Sequence, residues 1–187
     1  YYNRGRSIPQ MGMGVVNSTI GTVLYPAFSK IQDDRAQMQR VARNALKNIM
    51  FPVVLILTGF FIFAEPLVVL LLTEKWLPCV IFLRLSCLIF LFWPLHTLNL
   101  QILTACGRSD IMLYLEIIKK IQLAVIILFT YRYGVVVMVW GLVCSSPLSF
   151  IENAWCNRDL IGYSPWAQAV DIAPFFIIAT LAGTITL

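Results

Sequence analysis

The residues that could do chemistry in this sequence are polar side chains set inside long apolar stretches. Arg84 stands in an apolar run that begins near Leu77. A guanidinium at that depth is costly in lipid, so it needs a partner. It would either contact an anion such as a phosphate in a cavity, or extend to the external surface of the same bilayer with its alkyl stem in the apolar region. The residues alone leave both roles open.

A second polar group follows in the same run. His96, Asn99 and Gln101 are predicted to lie in the inner half of this span. Such side chains line polar cavities, and they also form hydrogen bonds between packed transmembrane helices. His96 is the only histidine in the chain, which excludes a metal site built from several histidines.

The third group opens the next apolar run. Glu116, Lys119 and Lys120 are spaced to meet on one face of a helix. The two lysines would suit the pyrophosphate of a ligand at the cytoplasmic mouth of a cavity. The same spacing also gives a simple ion pair at the membrane surface, where lysines extend easily to water.

Two further acidic residues stand near the ends of apolar runs. Glu65 directly precedes Pro66, so it is either a proton or sodium site or the position of a helix break. Asp171 opens the last run and is expected to be a charge at the interface or near a helix start.

Enzyme signatures are missing from the sequence. It contains no phosphate-binding loop, nucleophile elbow or zinc motif. The five cysteines form no C-x-x-C pair and are interpreted as small apolar residues, not as metal ligands or disulfides. We therefore expect no enzymatic activity, no cofactor, no metal and no nucleic-acid partner.

The composition indicates the elements that must position these residues. Of 187 residues, 59% are apolar and 12% are charged, against about 45–50% and about 25% in a soluble domain. A bilayer crossing takes about 20 apolar residues. The predicted fold class is an all-α, polytopic transmembrane helix bundle of about six spans. The predicted spans are residues 8–28, 49–72, 77–105, 111–131 and 134–151, with a last one from about Ala167 to Leu187.

Residues 29–48 are predicted to form an amphipathic helix at the membrane surface, with apolar positions repeating at three- and four-residue steps. Asp33 and Asp34 suit its first turn. If this linker is cytoplasmic, nine lysines and arginines lie on its side of the membrane and four on the other. The nine are Lys30, Arg35, Arg40, Arg43, Lys47, Arg108, Lys119, Lys120 and Arg158; the four are Arg4, Arg6, Lys75 and Arg132.

The small residues of the first run are predicted to form a helix-packing face. Gly14, Ser18 and Thr22 follow at four-residue steps, with Gly21 beside them. Such a face allows two helices to approach closely.

Several stretches, in order along nearly the whole chain, resemble one family. They are residues 1–4 (YYNR), Pro9 and 24–34 (LYPAFSKIQDD); 64–67 (AEPL) and 71–78 (LLTEKWLP); 94–103 (PLHTLNLQIL), 107–110 and 115–120; and 162–164, Gln168 and Asp171. Together they are similar to the Wzx-type, teichuronic-acid-exporter-like polysaccharide flippases of the multidrug/oligosaccharidyl-lipid/polysaccharide exporter superfamily. One departure is Thr73, where that family usually has glycine, which suggests a locally altered turn.

The resemblance implies that residues 1–187 are part of the C-terminal lobe of a two-lobe flippase, with no separate soluble domain. The cargo would be an undecaprenyl-pyrophosphate-linked oligosaccharide, moved across the bacterial cytoplasmic membrane for O-antigen, capsule or exopolysaccharide synthesis. Partners would be this lipid and the bilayer, with coupling to H⁺ or Na⁺ and contact with a polysaccharide polymerase left open. The candidate substrate-binding residues are Arg84, His96, Asn99, Gln101, Lys119 and Lys120.

Three other functions compete with this interpretation. A cation-coupled drug antiporter of the same superfamily would share the fold, and an acidic residue deep in a span would favour it. A polymerase or ligase would carry a large external loop with catalytic residues, and the predicted outer loops are only a few residues long. A structural subunit would confine its polar residues to one packed helix face.

Overall fold

Helices account for nearly all of the described chain, and no strand occurs in residues 1–186. The computed structural model describes the backbone of residues 1–186 and the side chains of residues 1–180; Leu187, at the end of the last predicted span, lies outside the described residues. The predicted all-α class is confirmed. The α-helices are α1 (Tyr2–Lys30), α2 (Arg35–Ile62), α3 (Ala64–Leu72), α4 (Val80–Leu91), α5 (Trp93–Ala105), α6 (Ser109–Thr130), α7 (Val135–Ile161) and α8 (Pro165–Thr186).

Three segments are long and apolar enough to cross a membrane: α2, the stretch Glu74–Ala105 and α7. That test, applied to the described residues only, does not include α1, α6 or α8, so the count of six crossings stays a prediction. Large apolar side chains cover the outside of the bundle, among them Leu70 at 81% exposed and Phe129 at 75% exposed. A surface of this kind suits lipid as the solvent, and the chain is a membrane protein.

The predicted surface helix and the second predicted span form one continuous helix. A turn at residues 31–34 follows α1, and α2 then runs from Arg35 to Ile62 without a break. Asp34 caps it, because its Oδ1 accepts a hydrogen bond from the N–H of Gln37 at 2.9 Å. The buried face continues across the predicted boundary at four-residue steps, through Met38, Ala42, Leu46 and Met50.

Two helix breaks lie just ahead of prolines. The break that the sequence placed at Glu65 falls at Phe63, three residues before Pro66. The predicted span 77–105 also divides: a 3₁₀-helix, Glu74–Cys79, leads into α4, and a second break at Phe92 precedes Pro94. A proline has no N–H for the carbonyl four residues earlier, so the first turn of a new helix is a favourable position for it.

The fifth predicted span is too short. It was placed at residues 134–151, whereas α7 continues to Ile161 and ends at Gly162 in the left-handed conformation (φ 72°). The polar residues after Ile151 ended the apolar run, but Asn153 and Asn157 are fully buried in the bundle. The extension brings Glu152 into a helix as well.

The predicted small-residue packing face does not pack within the described bundle. Gly14, Ser18 and Thr22 are exposed, and nothing lies within 4 Å of where a Cβ of Gly14 would be. The close approach of α1 is made by Gly5 instead, where a Cβ would lie 2.8 Å from the carbonyl oxygen of Cys79. Tertiary packing determines which glycine of α1 lies closest to a neighbouring helix, because α1 packs mainly against α4 and α5.

Candidate functional site: polar clusters between the helices

Asn99 is the centre of a hydrogen-bond network that joins α5, α7 and α8. Its Nδ2 donates to Oε1 of Gln168 at 2.9 Å, and its Oδ1 accepts from Nε2 of Gln168 at 3.0 Å. Nδ2 of Asn157 donates to the same Oδ1 at 2.6 Å. All three residues are fully buried. We call them the Asn99 network; it is the kind of interhelical pairing that stabilises membrane bundles.

A second cluster, the Asp171 clamp, joins α8 to α2. The Asp171 side chain is 3% exposed, and its carboxylate lies 2.6 Å from Nε of Arg43 and 3.1 Å from Nζ of Lys47. Tyr163 completes the clamp by donating its hydroxyl to Asp171 at 3.0 Å. Burial raises the pKa of the Tyr163 hydroxyl, and the nearby carboxylate raises it further, so the hydroxyl keeps its proton. The sequence predicts Asp171 to be a charge at the interface or near a helix start, but it does not indicate which residues pair with it.

His96 lies on α5, one turn before Asn99, and faces α7. Its Nδ1 is 3.1 Å from Nδ2 of Asn153, which is fully buried. The sequence left two roles open for His96 and Asn99, which were lining a polar cavity and forming hydrogen bonds between helices. Their contacts in the structure are hydrogen bonds between helices. Gln101 points toward α1, with its Nε2 3.5 Å from where a Cβ of Gly21 would lie.

Arg84, on α4, forms a hydrogen bond with the C-terminal end of α2. Its Nε donates to the carbonyl oxygen of Phe61 at 3.3 Å, and its guanidinium lies 5.9 Å from the centre of the Phe61 ring. The last carbonyls of α2 lack partners within their own helix, because the helix breaks at Phe63. Arg84 therefore caps the end of α2 in this structure.

The charges predicted at the start of the fourth span lie on α6. Lys119 is 3.2 Å from Glu116, three residues earlier, and its side chain is 19% exposed. The i,i+4 pairing of Glu116 with Lys120 is not made, and Lys120 is exposed. The six candidate substrate-binding residues therefore lie in three places: Arg84 near the end of α2, His96, Asn99 and Gln101 inside the bundle, and Lys119 and Lys120 on α6. Their role in substrate binding stays a prediction.

Glu152 is a polar residue that the sequence analysis missed. It lies on α7 and accepts a hydrogen bond from Nε2 of Gln122 on α6. Ser149, one turn earlier on α7, lies 3.5 Å from Oε1 of Gln122. We call these three residues the Glu152 cluster. A signal was present in the sequence, since residues 149 and 152 have the three-residue spacing of one helical face.

A cavity of about 570 Å³ lies where the start of α2, the α5–α6 turn and the end of α7 meet. Its wall carries two arginines, Arg35 and Arg108, and two aspartates, Asp110 and Asp159, and Tyr114 and Trp155 contribute aromatic rings. Arg108 donates two hydrogen bonds to Asp110 at 3.1 Å, and these lower the pKa of the Asp110 carboxyl. We call this space the Arg35 cavity. By the positive-inside prediction it faces the cytoplasm.

The bundle is α-helical, its outside suits lipid, and its polar side chains lie between helices or at a membrane surface. These features define an integral membrane protein. Residues 1–81 match the model of a family described as "Polysaccharide biosynthesis protein". This match includes the stretches 1–34 and 64–78 that carried the resemblance, and it supports a protein of polysaccharide biosynthesis. No curated protein and no solved structure matches the chain.

Proposed function

We propose that the chain is one part of a flippase that moves undecaprenyl-pyrophosphate-linked oligosaccharide units across the bacterial cytoplasmic membrane. The observation that carries the proposal is the family match of residues 1–81 on a chain whose helices suit a membrane. Transport, not catalysis, is the proposed role. Within polysaccharide biosynthesis, a protein built of membrane helices suits the step in which a charged, sugar-bearing lipid must cross the bilayer, because such a head group cannot enter hydrocarbon unaided.

The Arg35 cavity suits the first encounter with such a head group. Arg35 can hydrogen-bond to phosphate oxygens, and Arg108 can do so if a phosphate displaces Asp110 from its guanidinium; Tyr114 and Trp155 offer flat apolar faces for sugar rings. The buried Asn99 network and Asp171 clamp lie between helices, so we assign them to holding the lobe together. The cavity wall thus becomes the leading location for substrate contacts, ahead of Asn99.

A deletion of the gene tests the proposal. Surface polysaccharide should fall while the lipid-linked oligosaccharide accumulates on the inner leaflet. Complementation with an Arg35→Gln/Arg108→Gln double variant should restore surface polysaccharide less well than an Arg40→Gln variant, which changes an exposed arginine of the same helix outside the cavity wall. Unchanged surface polysaccharide and unchanged lipid-linked intermediates in the deletion strain would contradict the flippase.

A cation-coupled antiporter of small molecules is the second candidate, and Glu152 favours it. An acidic residue within a span would favour such an antiporter, and the extension of α7 to Ile161 places Glu152 within one. In that case the deletion strain would become sensitive to drugs while its surface polysaccharide stayed at the level of the parent strain.

A further inference from the structure

Glu152 lies toward the C-terminal end of the membrane-crossing part of α7. It precedes the helix end at Ile161 by nine residues, which is about 14 Å at 1.5 Å per residue. Trp155, an aromatic residue of the type enriched at membrane surfaces, lies about one turn closer to that end. The carboxyl group of Glu152 therefore lies on the hydrocarbon side of the interface.

The two oxygens of this carboxyl group have different surroundings. Oε1 accepts the hydrogen bond from Gln122. Oε2 is buried, and among the described residues it has no hydrogen-bond partner. Gln122 presents its N–H to the carboxyl, and its own carbonyl oxygen faces Ser149. The protein thus supplies a donor to one oxygen and leaves the other without one.

Among the described residues, no lysine, arginine or histidine forms a salt bridge with Glu152. Lys119, one turn before Gln122, pairs with Glu116. Arg43 and Lys47 pair with Asp171. The other titratable and charged groups of α7 and of the helices packed against it are Cys144, Cys156, Arg158 and Asp159 on α7; Asp110, Tyr114, Glu116, Lys119 and Lys120 on α6; Tyr131, Arg132 and Tyr133 in the 3₁₀-helix between α6 and α7; Cys106 and His96 at α5; Arg84 and Cys87 on α4; Arg35, Arg40, Arg43 and Lys47 on α2; and Asp171 on α8.

We propose that Glu152 is a proton-binding site, in which Oε2 takes up and releases a proton within the membrane. An ionised carboxylate without a counter-charge is strongly disfavoured at this depth. Uptake forms an O–H bond at Oε2 with a proton from the aqueous phase and removes the negative charge. Release returns the proton to water and restores the carboxylate, which keeps the hydrogen bond from Gln122. This inference goes beyond the proposed function and does not depend on which cargo is moved.

A proton suits this site better than a metal ion. Hard cations such as Ca²⁺ bind about six or more oxygen ligands, several from the protein. The Glu152 cluster offers the two carboxylate oxygens and the hydroxyl of Ser149, while Gln122 turns its N–H toward the carboxyl. Among the described residues, no group of three or more His, Cys, Asp or Glu side chains could hold a metal ion.

Labelling with dicyclohexylcarbodiimide, which modifies protonated carboxyl groups in apolar surroundings, tests the proposal on the full-length protein in its membrane. Peptide mass spectrometry should find Glu152 modified several-fold more than Glu116 or Glu65, which are the internal controls. The modification should decline as the pH rises, because only the protonated form reacts. A Gln122→Met variant removes the donor that stabilises the charge, so its Glu152 should stay reactive to higher pH.

Two results would overturn the proposal. One is modification of Glu152 no greater than that of Glu116 at every pH. The other is protection of Glu152 by Na⁺ but not by K⁺ at constant pH, which would make it a sodium site. Neither result bears on the flippase, whose own test is the lipid-linked intermediate in the deletion strain.

Discussion

Asp171 joins the start of α8 to α2 through a two-point ion pair with Arg43. Nε of Arg43 lies 2.6 Å from one carboxylate oxygen, and Nη2 donates to the other at 2.8 Å. The two partners differ in their access to solvent, since the Asp171 side chain is 3% exposed and that of Arg43 is 51% exposed. The carboxylate therefore depends on this contact more than the guanidinium does.

Removal of both cations should destabilise the protein more than removal of the anion. An Arg43→Met/Lys47→Met variant leaves the buried Asp171 charge with only the hydroxyl of Tyr163, so we expect the larger loss of unfolding free energy in this variant. Asp171→Asn leaves two cations that can turn toward solvent, and the loss should be about 1 kcal/mol. Unfolding in mixed detergent micelles measures both values, with Arg40→Met as the control on the same helix. Equal losses in the two variants would contradict the assigned asymmetry.

Asn99→Leu should destabilise the bundle by about 1–3 kcal/mol, because it leaves the buried amides of Gln168 and Asn157 short of partners. A double-mutant cycle between Asn99 and Gln168 should give a coupling energy of about 0.5–2 kcal/mol. Gln101→Leu, a change of the same type two residues further along α5, is the matched control and should cost less. Additive effects of the Asn99 and Gln168 changes would show that the hydrogen bonds between them contribute nothing.

Thr73→Gly should stabilise the protein. Thr73 has φ 84° and ψ 163°, and it is the one non-glycine residue with positive φ in the part of the chain that the structure describes. This region of backbone space is essentially confined to glycine, and relief of the strain is worth about 1–3 kcal/mol. The glycine usual in the resembling family fits the same conformation. Thr58→Gly, inside α2, serves as the control and should instead destabilise; a loss of stability in Thr73→Gly would contradict the strain.

Replacing each of two glycines of α1 by alanine should change the stability of the protein in opposite directions. At Gly5 a Cβ would lie 2.8 Å from the Cys79 carbonyl oxygen and 3.0 Å from the Leu83 nitrogen, both backbone atoms that cannot give way easily. Gly5→Ala should push α1 from α4 and destabilise by about 1–3 kcal/mol. At Gly12 nothing lies within 4 Å, so Gly12→Ala should stabilise by about 0.5–1 kcal/mol through helix propensity. The same unfolding measurement checks both, and a destabilised Gly12→Ala with a neutral Gly5→Ala would reverse the assigned packing of α1.

Local features of the sequence were enough to predict the helical class. In lipid a backbone must satisfy its hydrogen bonds within its own segment, so long apolar runs become helices. Asp34 at a helix start and the prolines at 66 and 94 act within one turn of chain, which is why a helix start near Asp34 and the first break could be placed closely from sequence. Asp33 and Asp34 were expected in the first turn of the helix, whereas Asp34 is its N-cap and Asp33 precedes it. The second break, at Phe92, had the same local cause but was not predicted.

The polar clusters of the candidate site were decided by the packing of the helices. Asn99 was singled out from its depth, but its partner Gln168 lies 69 positions away, and Asp171 pairs with Arg43 across 128 positions. Glu152 was missed because hydropathy ended the span at Ile151, whereas packing against α6 gives its carboxyl group a partner in Gln122. Polarity along the chain shows which side chains need a partner in lipid. The choice of partner depends on which helix faces meet, and only the tertiary structure determines that.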